Sequence, residues 1–171
     1  MKKTLSPLKS LLLPLILLSM LLSACGGKPA GSGDSFGAAP QELAQAILDS
    51  GAFSEELELL DNEIAYTLFG FDSWSESYSL IQDSVIYYSS GATSELCAVI
   101  VVGKEYYGGD MSAATGDLED WLADQIEAEK NYRPSEVTKL EHAILDARDN
   151  TILLVVADDA GKAQAAVDAL N

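Results

Sequence analysis

The side chains able to do chemistry in this chain are few apart from carboxylates: one histidine, two cysteines and 27 acidic residues. A Ser-His-Asp relay would have to use His142, because an imidazole must take and return the nucleophile's proton. His142 stands between Glu141 and Ala143, where a helix gives way to a strand, and reads as a surface or structural histidine. Zinc chemistry asks for C-x-x-C or H-E-x-x-H, and calcium for an acid-and-glycine loop; none of these patterns occurs. Asp117, Asp120 and Asp124 fall near one helix face, where they would gather a hard cation weakly; a solvated face accounts for them better. Asp158-Asp159 precedes a helix and reads as a cap. A glycosidase needs two carboxylates at a set separation, but so many acids make chance pairs and the sequence selects none. Tyr107-Gly108-Gly109 and Ser90-Gly91-Ala92 lack the lysine and the spacing of a phosphate loop. The expectation is a protein without catalytic residues, metal or cofactor.

Cys25 is the exception. Its thiol ends the run Leu22-Ser23-Ala24-Cys25, behind Lys2, Lys3, Lys9 and an apolar stretch from Leu11 to Leu22. Positive start, short apolar middle and small residues before a cut are the layout of a secretory signal peptide. The apolar run is shorter than the ~20 residues a membrane-crossing helix needs, and Pro14 interrupts it. The residues Leu22, Ser23, Ala24 and Cys25 resemble the lipobox of bacterial lipoproteins. That resemblance implies a diacylglyceryl group on the Cys25 sulfur and cleavage before Cys25 by a lipoprotein signal peptidase. Each buried CH₂ contributes about 0.8 kcal/mol, so two acyl chains hold where one is marginal. Residues 1–24 are therefore expected to be a signal peptide, and the mature chain to be anchored on the outer face of the cell membrane rather than spanning it.

Residues 25–39 read as lipidated cysteine and flexible tether, GGKPAGSGDSFGAA after the cysteine. Such a stretch buries too little to offset its ordering entropy, and its reach is about 20 Å. The chain carries −17 formally; losing the leader leaves 7 basic against 27 acidic residues, a balance of −20. This excludes a nucleic-acid footprint and disfavours lying flat on anionic headgroups. An acidic surface also keeps an exported protein soluble.

Cys97 lies in Leu96-Cys97-Ala98-Val99-Ile100-Val101-Val102 and, with Cys25 taken by lipid, reads as a small buried hydrophobe. The aromatics Phe69, Phe71, Trp74, Tyr78, Tyr87 and Tyr88 cluster in sequence, as do Tyr106 and Tyr107. Core packing accounts for most of them. In a strand, Tyr87 and Tyr88 point to opposite faces, so one is a candidate for an exposed partner or glycan surface.

The elements that position these residues fill 40–171, one globular domain by length. Leu43, Ala44, Ile47 and Leu48 predict a helix over Pro40–Ser50, with Pro40 at its first turn and Gly51 at its cap. Asn62–Phe69 predicts a short helix behind Asp61, although the alternation of Ile64, Tyr66 and Leu68 also fits a strand. Val85–Tyr88 and Leu96–Val102 predict antiparallel strands joined by a Gly/Ser turn. Met111–Asn131 predicts a long helix with Leu118, Trp121, Leu122, Gln125 and Ile126 on its apolar stripe and Asp110 as a cap. A short helix from Pro134 or Ser135, strands Ala143–Ala147 and Thr151–Val156 around Asp149-Asn150, and a last helix to Leu170 complete the chain. The fold class expected is α+β, a single domain with an antiparallel sheet built from two hairpins and covered by helices.

Three stretches carry a further likeness: Tyr88-Ser89-Ser90-Gly91-Ala92-Thr93-Ser94-Glu95-Leu96, Tyr132-Arg133-Pro134-Ser135-Glu136-Val137-Thr138-Lys139-Leu140, and Ala157-Asp158-Asp159 before an Ala-rich helix. With the long helix and its Gln125, they resemble a lipoprotein domain of unknown function found mainly in Firmicutes, over residues 57–171. The resemblance implies an exported, lipid-anchored protein of a Gram-positive-type envelope and assigns no catalytic residue. The function expected is a non-enzymatic extracytoplasmic module with membrane lipid as one partner and an envelope protein as another. A small-solute or cation-binding lipoprotein is the alternative, and a cell-wall hydrolase ranks last.

Overall fold

The computed structural model describes residues 35–70, 81–91, 93–103 and 111–170. Helix α1 runs Pro40–Leu48, strand β1 Glu58–Leu59 and helix α2 Asn62–Leu68. Strands β2, Ile81–Tyr88, and β3, Leu96–Val102, follow; then come α3, Ser112–Tyr132, and α4, Pro134–Glu141. Strands β4, Ile144–Arg148, and β5, Thr151–Val156, lead to α5, Ala160–Asp168.

Local chemistry sets these bounds. Pro40 opens α1, Glu42 reaches back to the Ala39 N–H at 3.4 Å, and Gly51 leaves the helix at φ 68°. The Asp61 carboxylate accepts the Glu63 N–H at 2.9 Å, which settles the helix-or-strand ambiguity of this stretch for the helix. Asp110, expected to cap α3, lies outside the described residues, and Met111 holds the cap position without a side-chain bond. Asp159, not Asp158, caps α5 by accepting the Lys162 N–H at 3.0 Å.

The five strands form one sheet in the order β1-β2-β3-β5-β4, every neighbouring pair antiparallel. The α+β class stands. The sheet has a fifth strand, β1, that the sequence reading lacks: Glu58 pairs with Tyr88 and Leu59 with Tyr87. Successive strand residues point to opposite faces. Leu96, Ala98, Ile100, Ile152, Leu154 and Val156 join one core with Ala65, Phe69, Leu118, Trp121 and Leu140. Cys97, Val99, Leu153 and Val155 join the other with Leu43, Ala44, Ile47, Ala163 and Val167. Helices α2, α3 and α4 thus cover one face and α1 and α5 the other. The central strands β3 and β5 are apolar at every position but Thr151, because neither face meets water.

The packed chain begins earlier than residue 40. Phe36, assigned by sequence to the tether, is 2% exposed and belongs to the second core. An aromatic ring buries enough area to offset the ordering of its own few residues. The Arg148 guanidinium lies over the Phe36 ring, 4.3 Å from its centroid. The same guanidinium donates to Asp146 Oδ2 at 2.8 and 3.1 Å and to the Leu170 carbonyl at 2.7 Å. One arginine therefore holds both ends of the folded chain.

Candidate functional site

The sheet brings Glu95 of the β2–β3 connection, Glu136 and Lys139 of α4 and Asp158 after β5 to one end. Arg148 pairs with Thr151 beside the turn, while Leu96 pairs with Val156 at the opposite end. The β2–β3 connection, the residues after β5 and the Glu136–Lys139 face of α4 meet there. At their centre is Lys139 of α4. Its Nζ lies 2.8 Å from Glu95 Oε1, 3.2 Å from Asp158 Oδ1 and 3.5 Å from Glu136 Oε2.

Glu95 is fully buried. Besides Lys139, its carboxylate accepts the Ser54 N–H at 2.9 Å and the Ser54 hydroxyl. Glu136, also buried, accepts the Ser94 N–H at 2.9 Å. The knot therefore joins the loop after α1, the tip of β2–β3, the helix α4 and the residue after Ala157. Among the described residues every buried side-chain nitrogen or oxygen has a partner.

The electrostatics fix the protonation of the centre. Burial alone pulls the Lys139 ammonium down, but its bonds to Glu95 and Asp158 and the charges of Glu95 and Glu136 outweigh that, and its pKa rises. An ammonium held protonated has no lone pair for nucleophilic or Schiff-base chemistry. Lys139 is a fastening here.

Glu55 extends the polar region outward. Its Oε1 accepts the hydroxyls of Ser89 and Thr93, the latter at 2.6 Å, and those two bonds, in that order, lower its pKa. Oε2 of Glu55 has no hydrogen-bond partner among the described residues. Glu55 also lines a pocket of about 300 Å³ between the end of α1 and β2. Leu48, Phe53, Leu57 and Tyr87 supply its apolar wall, and Glu56 a second carboxylate. Tyr87 is held in place by Gln41, whose Nε2 donates to its hydroxyl at 2.8 Å.

The sequence candidates fare differently. Asp117, Asp120 and Asp124 do share a face, exposed beside Trp121 and the end of α2, in an open groove of about 410 Å³. Among the described residues no three His, Cys, Asp or Glu side chains are placed to hold a metal ion. His142 is exposed, its Nδ1 2.7 Å from the Thr138 carbonyl at the end of α4. Cys97 is buried, and burial pushes its thiol up to about 12, far from the thiolate a nucleophile needs. Tyr87 and Tyr88 do face opposite cores, but both are half-buried; among the described residues the exposed aromatic is Tyr132, at 85%. Cys25, Leu22, Ser23 and Ala24 lie outside the described residues, as do Phe71, Trp74, Tyr78, Tyr106 and Tyr107. No helix among the described residues is long and apolar enough to cross a membrane.

Sequence reasoning passed over Glu95, Lys139 and Phe53. A usable signal existed for Lys139. Ten cations stand against 27 acids in the chain, so each domain cation has several acids competing for it. No family model matches the chain, and no curated protein or solved structure matches it.

Proposed function

We propose that this chain is a lipid-anchored lipoprotein of the extracytoplasmic membrane face, whose folded domain is a non-enzymatic interaction or envelope-associated module. The observation that carries the reading is Leu22-Ser23-Ala24-Cys25 at the end of a basic, then apolar, leader. The likeness to a Firmicutes lipoprotein domain belongs to the same proposal. Ten residues separate Cys25 from Phe36, a leash with a reach of about 17 Å if it behaves as a Gly-rich coil. The domain would then stay within a few nanometres of the bilayer and meet partners in the envelope. Intact mass of the membrane-extracted chain tests the anchor directly. The expected mass lacks residues 1–24 and gains a diacylglyceryl group. A chain retaining its leader, or a Cys25→Ser variant trimmed and held in the membrane as firmly as the parent, would overturn the reading.

A second reading, a small-solute or cation-binding lipoprotein, is favoured by one observation, the pocket beside Glu55. Two aromatic rings, Phe53 and Tyr87, line it together with the carboxylates of Glu55 and Glu56, so apolar and charged groups meet in one cavity, as they do in small-molecule sites.

A further inference from the structure

The pocket between α1 and β2 has a lining specific enough to name a ligand class, on the reading that the protein takes up a small solute. We propose that it binds a small organic ammonium ion, methylated on nitrogen, between Phe53, Tyr87 and Leu57 with Glu55 as the counter-charge. Four properties of the lining lead there.

First, the charge is negative, two carboxylates against the single nearby ammonium of Lys139, which the knot around Glu95 already holds. Glu55 and Glu56 both line the pocket, and among the described residues neither makes an ion pair within 4 Å. The ligand that lowers the energy of this site is a cation. Second, the carboxylate is prepared in advance. Ser89 and Thr93 both donate to Oε1 of Glu55, which orients the group and leaves Oε2 unbonded among the described residues. A ligand cation therefore meets an oriented anion and need not order it.

Third, the lining is poor for a hard metal ion. Calcium takes six to eight oxygens and magnesium an octahedron of them, whereas the pocket offers two carboxylates, and among the described residues no three His, Cys, Asp or Glu side chains are placed to hold a metal. Fourth, the wall is right for methyl groups. Aromatic rings attract a cation through their negative faces, and a methylated ammonium loses less hydration on entering than a primary one. A volume of about 300 Å³ sits at the small end of ligand sites and suits a ligand of choline size.

Titration calorimetry on the full chain, held in a maltoside detergent that carries no ammonium group, tests this. Tetramethylammonium and choline are expected to saturate with dissociation constants on the order of a millimolar, and methylammonium to bind more weakly. Glu55→Gln keeps an oxygen for Ser89 and Thr93 but removes the charge, and is expected to weaken choline about tenfold. Phe53→Leu is a second variant that keeps the pocket apolar, with a similar loss expected. Phosphocholine separates two sources of the same group. Weaker binding than choline supports a free ammonium solute, and equal binding supports a headgroup. The neutral carbon analogue 3,3-dimethylbutan-1-ol separates the two claims. If it binds as well as choline, the ammonium assignment falls and solute binding stands. If neither it nor choline shifts the ring resonances of Phe53 and Tyr87, both fall. Saturation by calcium but not by choline would also overturn the assignment.

Discussion

Glu95 is the most consequential single residue of the described fold. A carboxylate with no solvent exposure is tolerated only because Ser54 and Lys139 surround it. Taking one partner from a buried ion pair leaves an uncompensated charge and costs about 3–5 kcal/mol. Lys139→Met is therefore expected to lower unfolding free energy by an amount in that range, measured by urea denaturation. Adding Glu95→Gln should return a good part of it, since the stranded charge is gone. A loss below about 1 kcal/mol for the single variant would mark Lys139 as a solvent-screened pair. Little of this was legible in sequence. Glu95 sits among Ser and Thr in text that reads as an exposed turn, and only the apolar run starting at Leu96 hints that the turn is tucked in. Which acid a lysine chooses depends on long-range packing: Lys139 and Glu95 are 44 residues apart. Cys97 was legible, because a thiol inside an unbroken apolar run has few other fates.

At the scale of elements the periodicities were more informative. The runs Leu96–Val102 and Thr151–Val156 carry no alternation, which is what burial on both faces produces. The capping residues Asp61 and Asp159 also follow from type and position. Strand β1 was not legible. Its two residues are both exposed, so no hydrophobic pattern marks it, and backbone pairing to Tyr87 and Tyr88 alone defines it. The segment before α1 misled for the opposite reason. Its composition is that of a linker, and one ring, Phe36, overrides the composition by packing under Arg148. Phe36→Ala is expected to cost about 3–5 kcal/mol, the range for truncating a buried aromatic. The readout is thermal unfolding together with limited proteolysis, which should newly cut within residues 35–39. Unchanged stability and unchanged cutting would return that segment to the tether.

The whole molecule is acidic in a particular way. Lys130, Arg133, Lys139, Arg148 and Lys162 are the cations of the described residues, and each is already paired with a neighbouring acid. Acids outnumber cations 27 to 10 over the chain, so the net charge is negative and the excess carboxylates repel one another. Screening that repulsion should outweigh the weakening of exposed pairs, so the melting temperature is expected to rise as sodium chloride goes from near zero to about 0.15 M. A melting temperature that falls over the same range would mean that the paired cations dominate. Net charge is readable from composition alone. That each described cation has an acid beside it is not, because it depends on which acids the fold places there.

Because Arg148 grips both Phe36 and the Leu170 carbonyl, the first and last packed segments of the described chain share one clasp. A bulky fusion close behind Leu170 would tug on that clasp. The turn near Gly91 lies some 20 Å away along the strands, so an epitope inserted at that tip should leave the Arg148 clasp undisturbed.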